Sequence, residues 1–257
     1  MGTAPPGRRA DLKDRLSGAS VYIRHLVAGV LPYECPGCGA RGDSLVCGAC
    51  RGNMAAIREP YCRTCGRPLP PGVQYKEDCR DCVEGSFHFD RCRSVFLYEP
   101  PVSGIVKRFK FRKNVHLGDF LCAAMAEIME REPEMFGDFC GADAIAPVPL
   151  HPFRLVWRGF NQAEMLARGA SKVLGVRVLK CLVRKRNTRP QSRLDVKQRA
   201  ANVKGAFAVR GGVDVAGKRI IIVDDVMTTG ATVNECSKVL LGAGAEEVFV
   251  LTAARRA

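Results

Sequence analysis

From residue 94 to the C-terminus, short unbroken apolar runs alternate with segments in which apolar residues recur every three or four positions. "SVFLYEPP" (94–101) predicts a strand and a turn, and after "VSGIVKRFKFRKN" the residues Phe120, Leu121, Ala124, Met125 and Ile128 recur at helical spacing. "DAIAPVPL" (143–150) predicts a buried strand. In "NQAEMLARGASKVLG", Ala163, Leu166, Ala167, Ala170, Val173 and Leu174 share one helical face. "RIIIVDD" (219–225) predicts another buried strand, Val233, Cys236, Val239 and Leu240 another helix, and "EEVFVLTAA" a last strand. Strands separated by helices of this length predict an α/β fold with a parallel sheet flanked by helices.

The first third reads differently. Leu12 to Val30 predicts an amphipathic helix, and its most apolar part, "VYIRHLVAGVLP" (21–32), is interrupted by Arg24 and His25. No apolar run approaches the ~20 residues that cross a bilayer. No small-residue cleavage site follows the run, so a signal peptide is not expected and a cytoplasmic location is. The expected division is residues 1–31 as helix and tail, 32–88 as a cysteine-rich region, and 89–257 as the α/β domain.

Between 32 and 88 stand four CxxC pairs: Cys35/Cys38, Cys47/Cys50, Cys62/Cys65 and Cys79/Cys82. Two thiolates two residues apart grip one Zn²⁺ from a tight turn, and two such turns complete a tetrahedral site of four cysteines. The segment has few large apolar residues, so zinc would supply its missing folding energy. Two structural zincs are the favoured reading, with one zinc plus spare thiols, or disulfides, as alternatives. Sequential pairing (35/38/47/50 and 62/65/79/82) is the simpler arrangement, and a cross-braced one has the same composition. Full ligation by four cysteines leaves no open position for catalysis. Cys92, Cys122, Cys140, Cys181 and Cys236 lack ligand spacing and predict small core residues.

The formal net charge is +14, and residues 151–204 hold 14 Lys or Arg against only Glu164 and Asp195. Such concentration implies a phosphate-rich partner, either a small phosphorylated molecule or nucleic acid. In parallel sheets, ligands bind beyond the carboxyl ends of strands. Three stretches lie there: His151 to Gln162, the polar stretch 183–207, and the turn after "RIIIVDD". The length and polarity of 183–207 predict a lid without secondary structure of its own. In the third stretch, Thr228, Thr229, Gly230, Ala231 and Thr232 stand where a strand turns into a helix, so free N–H groups and the helix dipole favour a phosphate. No Gly-Lys-Ser/Thr is present, which excludes a Walker loop. Asp224 and Asp225 would repel a phosphate but accept hydrogen bonds from vicinal hydroxyls. Phosphate at the helix start and two hydroxyls one step back describe a ribose 5-phosphate. An aspartate-capped helix or a carboxylate pair holding a metal are the blander readings.

"IIIVDDVMTTGAT" resembles the phosphoribosyl diphosphate (PRPP) signature of type I phosphoribosyltransferases. With the CxxC pairs, "VKRFKFRKN", "APVPLHPFRLVWRGFNQAEMLA" and "QSRLDVKQRAANVKGAF" in that order, the chain resembles the ComF competence family, also called GntX-like. The resemblance implies that Asp224 and Asp225 bind the ribose hydroxyls and that residues 228–232 cradle the 5-phosphate. It implies that His151, Arg154, Arg158 and Gly159 meet the diphosphate with Mg²⁺. It further implies a lid carrying Gln191, Arg199 and Asn202, with Arg154, Arg158 and Arg199 as stabilisers of the leaving group. "SRLDVKQ" departs from the Gly-Leu-Ser-type stretch of the family. No general base is identifiable; His88, His116 and His151 read as ordinary surface or turn histidines. Three functions follow: a PRPP-dependent transferase of unknown acceptor, a non-catalytic PRPP-sensing regulator, or an accessory protein handling single-stranded DNA together with DNA-uptake proteins. Trp157, the single tryptophan, reads equally as a packing or a stacking residue.

Overall fold

The computed structural model describes residues 32–70, 79–84, 87–111, 114–189 and 195–256. The helix expected at 12–30 lies outside them, as does Gln191. The chain opens with β1 (Tyr33–Glu34) and β2 (Arg41–Gly42), an antiparallel pair around the first CxxC turn. Two short helices, α1 (Gly48–Gly52) and α2 (Arg80–Glu84), carry Cys50 and Cys82.

β3 (Arg91–Leu97) begins the α/β part. It leads into α3 (Val102–Phe111), α4 (Val115–Arg131), the short α5 (Pro133–Phe136) and β4 (Ala144–Pro147). Next come α6 (Pro152–Arg158), α7 (Gln162–Leu174), β5 (Leu182–Arg184), α8 (Val196–Val203) and β6 (Phe207–Val209). β7 (Arg219–Met227), α9 (Ala231–Gly242) and β8 (Glu247–Arg255) complete it. Local signals set the ends. The Asn114 and Asn161 side chains accept from backbone N–H groups at the starts of α4 and α7, and Gly175 at φ 68° stops α7.

The main sheet is parallel throughout, in the order β3-β8-β7-β4. Its period of two divides the core. Ile145, Ile221, Val223, Phe249 and Leu251 face Leu117, Leu121 and Met125 of α4 and Leu166 of α7. Ala146, Ile220, Ile222, Val248 and Val250 face Val233, Cys236 and Leu240 of α9. Ile220, Ile221, Ile222 and Val223 are fully buried, each contributing about 1.5–3 kcal/mol of apolar burial. This double-sided cover is why the strand reads as a continuous apolar run.

The stretch 183–207 is a correction. Rather than lacking secondary structure, it is bounded by β5 and β6, paired antiparallel, and carries α8 between them. Asp195 accepts from the Gln198 N–H (2.8 Å) while the Gln198 side chain accepts from the Asp195 N–H (3.3 Å), forming a capping box. The cysteines outside the pairs divide as well: Cys92, Cys181 and Cys236 are buried, Cys122 is half-buried, and Cys140 is exposed on the turn after α5, so it is no core residue.

The cysteine-rich segment packs along β3. Ile57 N–H donates to Val95 O (2.9 Å), Leu97 N–H to Ala55 O (2.9 Å) and Cys92 N–H to Thr64 O (2.7 Å). Gly104 admits the chain closely, since a Cβ there would stand 2.2 Å from Pro36 O.

Candidate functional site

β7 carries two carboxylates to its carboxyl end. Asp225 is buried, and its Oδ1 lies 2.8 Å from Lys110 Nζ on α3. Asp224 is half-buried; its Oδ1 accepts from the Asp225 N–H at 2.8 Å. Burial, and then the neighbouring charge of Asp225, push the Asp224 pKa up to about 7, against the opposing pull of Lys110. Burial works against the Lys110 charge, but Asp225 and Asp224 more than offset it and its pKa is raised.

Beyond the carboxylates the chain turns into α9. Gly230 is the N-cap, at φ 76°, and as a glycine offers no side chain to cap the helix. Thr229 Oγ1 accepts from the Ala231 N–H at 3.4 Å. Thr228, Gly230, Ala231 and Thr232 line a small niche beside Asp224. A Cβ on Gly230 would stand 2.8 Å from Met227 Cε and 3.0 Å from Phe87 Cε1. Gly230→Ala combines that crowding with a left-handed φ. It is expected to lower stability by about 1–3 kcal/mol in denaturant unfolding.

Asp224 and Asp225 open on a cavity of about 610 Å³. Arg154, Trp157 and Arg158 of α6 reach it from one side, and Arg184 at the end of β5 from another. Asn161 and Gln162 at the start of α7 line it too, as do Tyr98, Lys107, Lys110 and Phe111. Asn161 Nδ2 donates to Val148 O (3.0 Å), and Arg158 Nη1 donates to Gln162 Oε1 (2.9 Å). Arg154 bonds to the Thr188 carbonyl and Arg184 to the Thr188 hydroxyl. Burial holds the pKa values of Arg154 and Arg158 below the usual guanidinium range. Burial, and then the charge of Arg154, lower Arg184 to about 10. Arg158 Nε, Arg184 Nε and Gln162 Nε2 are buried with no hydrogen-bond partner. An unmet buried donor costs ~1–3 kcal/mol, and three on residues that line one cavity suit an anion with several acceptor oxygens.

Of the residues singled out from the sequence, Asp224, Asp225, Thr232, Arg154 and Arg158 line this cavity, and Thr228, Gly230 and Ala231 the adjoining niche. His151 is the N-cap of α6, its ring 5.4 Å from that of Phe153, and Gly159 is the C-cap at φ 83°. Asn202 on α8 bonds to the backbone of Arg189: its Oδ1 accepts from the Arg189 N–H (3.1 Å) and its Nδ2 donates to Arg189 O (3.0 Å). Arg199 stands half-buried on α8, outside the lining. The sequence reading gave no individual role to Tyr98, Lys107, Lys110, Phe111, Asn161 or Gln162, all of which line the cavity. The signal for Lys110 was the i, i+3 spacing with Lys107 in "VKRFKFRKN", which puts both on one helix face.

Away from the cavity, Cys35, Cys38, Cys47 and Cys50 form one cluster of sulfurs and Cys62, Cys65, Cys79 and Cys82 another. The pairing is sequential. Four thiolates at ~2.3 Å from one Zn²⁺ stand ~3.8 Å apart. Here Cys38 and Cys47 Sγ are 3.7 Å apart, Cys62 and Cys82 3.6 Å, and Cys65 and Cys79 3.5 Å. The residues therefore fit two structural zincs.

Residues 26–83 match the Double zinc ribbon domain family, and residues 161–257 the Phosphoribosyl transferase domain family. Over 211 residues the chain is 34% identical to "Competence protein F" of Haemophilus influenzae, covering 81% of this chain and 90% of that protein. The chain belongs to the ComF family. ComF relatives include "DNA utilization protein YhgH" of Salmonella typhimurium, 31% identical over 80% of this chain and 94% of that protein. Another is "Competence protein ComFC" of Streptococcus pneumoniae, 30% identical over 83% of this chain and 89% of that protein. In this ComF chain no helix among the described residues is long and apolar enough to cross a membrane.

Proposed function

We propose that the cavity binds PRPP with Mg²⁺ and that the protein transfers the phosphoribosyl group to an acceptor, in a cytoplasmic role linked to DNA uptake. The carrying observation is the meeting, in one place, of an acidic pair, a glycine-capped helix start and a half-buried cationic wall. Asp224 and Asp225 accept from the ribose hydroxyls. The residues from Thr228 to Thr232 donate to the 5-phosphate. Arg154, Arg158, Gln162 and Arg184 face the diphosphate. Breaking the C1–O bond sends the electron pair out with diphosphate and leaves positive charge on the ribose. Fixed guanidinium groups in a partly dry cavity stabilise that leaving group without reorganising. Mg²⁺ would arrive on the diphosphate and share its neutralisation. Apart from the cysteine clusters, the described residues bring no three metal-ligating side chains together. In the same reading, residues 32–88 are the ribbon unit and 89–257 the transferase unit.

Hydroxyls that donate to Asp224 favour its ionised form. The folded carboxyl takes up a proton near pH 7, above its ordinary value. Its ionisation therefore costs fold stability as pH rises from about 4 to about 7, and ligand binding recovers part of that cost. PRPP binding is expected to tighten from about pH 6 to about pH 8 and to release protons. Calorimetry in buffers of differing ionisation enthalpy measures this, and Asp224→Asn should remove the portion due to this group.

A second reading has its own observation. Trp157 is 59% exposed at the rim and Phe153 is 74% exposed on the same helix, beside Arg154 and Arg158. Exposed aromatics among arginines suit the stacked bases of single-stranded DNA. Because Trp157 is the only tryptophan, its fluorescence separates the two. PRPP with Mg²⁺ is expected to shift its emission saturably with little dependence on salt. A single-stranded oligonucleotide that quenches it with a steep salt dependence, where PRPP does nothing, would favour the DNA reading.

A further inference from the structure

The second cysteine cluster is tied to the main sheet by a residue the cavity does not use. Arg255 ends β8 and is fully buried. Its Nη1 donates to Cys65 O (2.8 Å), and its Nη2 donates to Asp81 Oδ2 (2.5 Å) and lies 3.7 Å from Cys65 Sγ. Asp81 also receives Arg67. Two guanidinium groups thus share one carboxylate, and although Arg67 and Asp81 are partly exposed, Arg255 itself is fully buried without a carboxylate of its own. A surplus buried charge is strongly unfavourable unless an opposite one stands near. A divalent zinc held by four thiolates carries two surplus negative charges, and Arg255 stands beside one of those thiolates. At the first cluster the donors to sulfur include the backbone N–H groups of Cys47 and Cys50, 3.5 Å from Cys35 Sγ and 3.4 Å from Cys47 Sγ.

The same ribbon backs the turn after β7. Phe87 packs with Cys62, Cys65, Cys79 and Cys82, and its ring sets the limit at Gly230. Cys92 Sγ donates to Met227 Sδ at 3.2 Å, and the Met227 methyl is the other close neighbour of Gly230. His88 N–H donates to Asn234 Oδ1 (2.6 Å) in the first turns of α9.

We propose that Arg255 is a positioning residue that holds the second zinc cluster against the turn from Thr228 to Thr232, so that zinc at Cys62, Cys65, Cys79 and Cys82 sets how firmly that turn grips a phosphorylated ligand. The turn half of this inference rests on the ribose-phosphate reading above, and the zinc half does not. The full chain, loaded with zinc, is tested as wild type, Arg255→Gln and Arg255→Lys. Zinc content is read by elemental analysis and zinc affinity by competition with a zinc-selective colorimetric chelator at equilibrium. Arg255→Gln is expected to bind one zinc about ten- to a hundredfold more weakly than wild type, the range seen for partners of metal ligands, with the other zinc unchanged. Arg255→Lys, which keeps the charge without the two-pronged geometry, is expected to fall between. Folded Arg255→Gln that holds both zincs with the wild-type affinities overturns the zinc half. Should Arg255→Gln not fold, the wild type decides: bound PRPP with Mg²⁺ must tighten the binding of one zinc and not the other, because coupling between binding affinities is reciprocal. Zinc affinities unchanged while Trp157 fluorescence shows PRPP bound overturn the coupling. Absence of PRPP binding overturns the ribose-phosphate reading instead, and the Arg255 variants then judge the zinc half alone.

Discussion

Replacing Asp224 and Asp225 together by alanine is expected to weaken PRPP binding by at least about a hundredfold, measured by calorimetry with Mg²⁺. A hydrogen bond to a charged group contributes ~1.5–3 kcal/mol, and the variant removes two carboxylates that would each accept from a ribose hydroxyl. The loss should fall on the sugar: inorganic diphosphate, which has no hydroxyls to offer, should bind the variant at least as well as the wild type. The substitution also strips Lys110 of its partner at 2.8 Å. Stability should therefore drop, and a thermal melt must show that the variant is still folded at the temperature of titration. A folded double variant that binds PRPP within threefold of the wild type removes the ribose assignment.

The other large effect is on the ribbons. Among the described residues, only Leu69 and Phe87 pack around the four cysteines of the second cluster, little apolar surface with which to hold it by burial alone. Structural zinc contributes ~10–16 kcal/mol in isolated finger peptides. Cys62→Ser combined with Cys65→Ser should therefore leave one zinc per chain and lower the melting temperature. It should also open residues near 62–82 to protease while the sheet between β3 and β8 survives. Because Phe87 and Cys92 join this segment to Met227 and Gly230, PRPP binding should weaken as well. Unaltered protease resistance in protein shown to hold one zinc would contradict a structural role for the metal.

What the sequence disclosed follows the reach of each signal. β7 was legible because a strand covered on both faces must be apolar at every position, so the aspartates that end the run stand out. α7 was legible from its stripe together with Asn161 and Gly175 at its ends. The four CxxC turns declared themselves by spacing. The arrangement of 183–207 was not legible from periodicity, since strands of three residues and a helix of eight give too short a pattern to measure. Its one readable mark was Asp195 with Gln198. Lys110 against Asp225, Arg184 in the cavity wall and Arg255 against Cys65 depend on segments more than a hundred residues apart, or on a fold that brings β5 to the sheet. Nothing local in "RFKFRKN", "LVRKR" or "LTAARRA" names the partner. Arg255 closes an apolar run as the last residue of β8, a position that reads locally as an exposed strand end, although a charge buried there is kept only where it is compensated.

The most direct measurement is a calorimetric titration of the zinc-loaded full chain with PRPP and Mg²⁺, repeated in the presence of ribose 5-phosphate and of inorganic diphosphate. A ribose-phosphate cradle beside a cationic wall predicts one saturable site per chain, competed by each fragment separately, because the two occupy different halves of it. Folded protein with two zincs that takes up no PRPP, or that binds it with no competition from ribose 5-phosphate, would contradict the assignment of Asp224, Asp225 and residues 228–232.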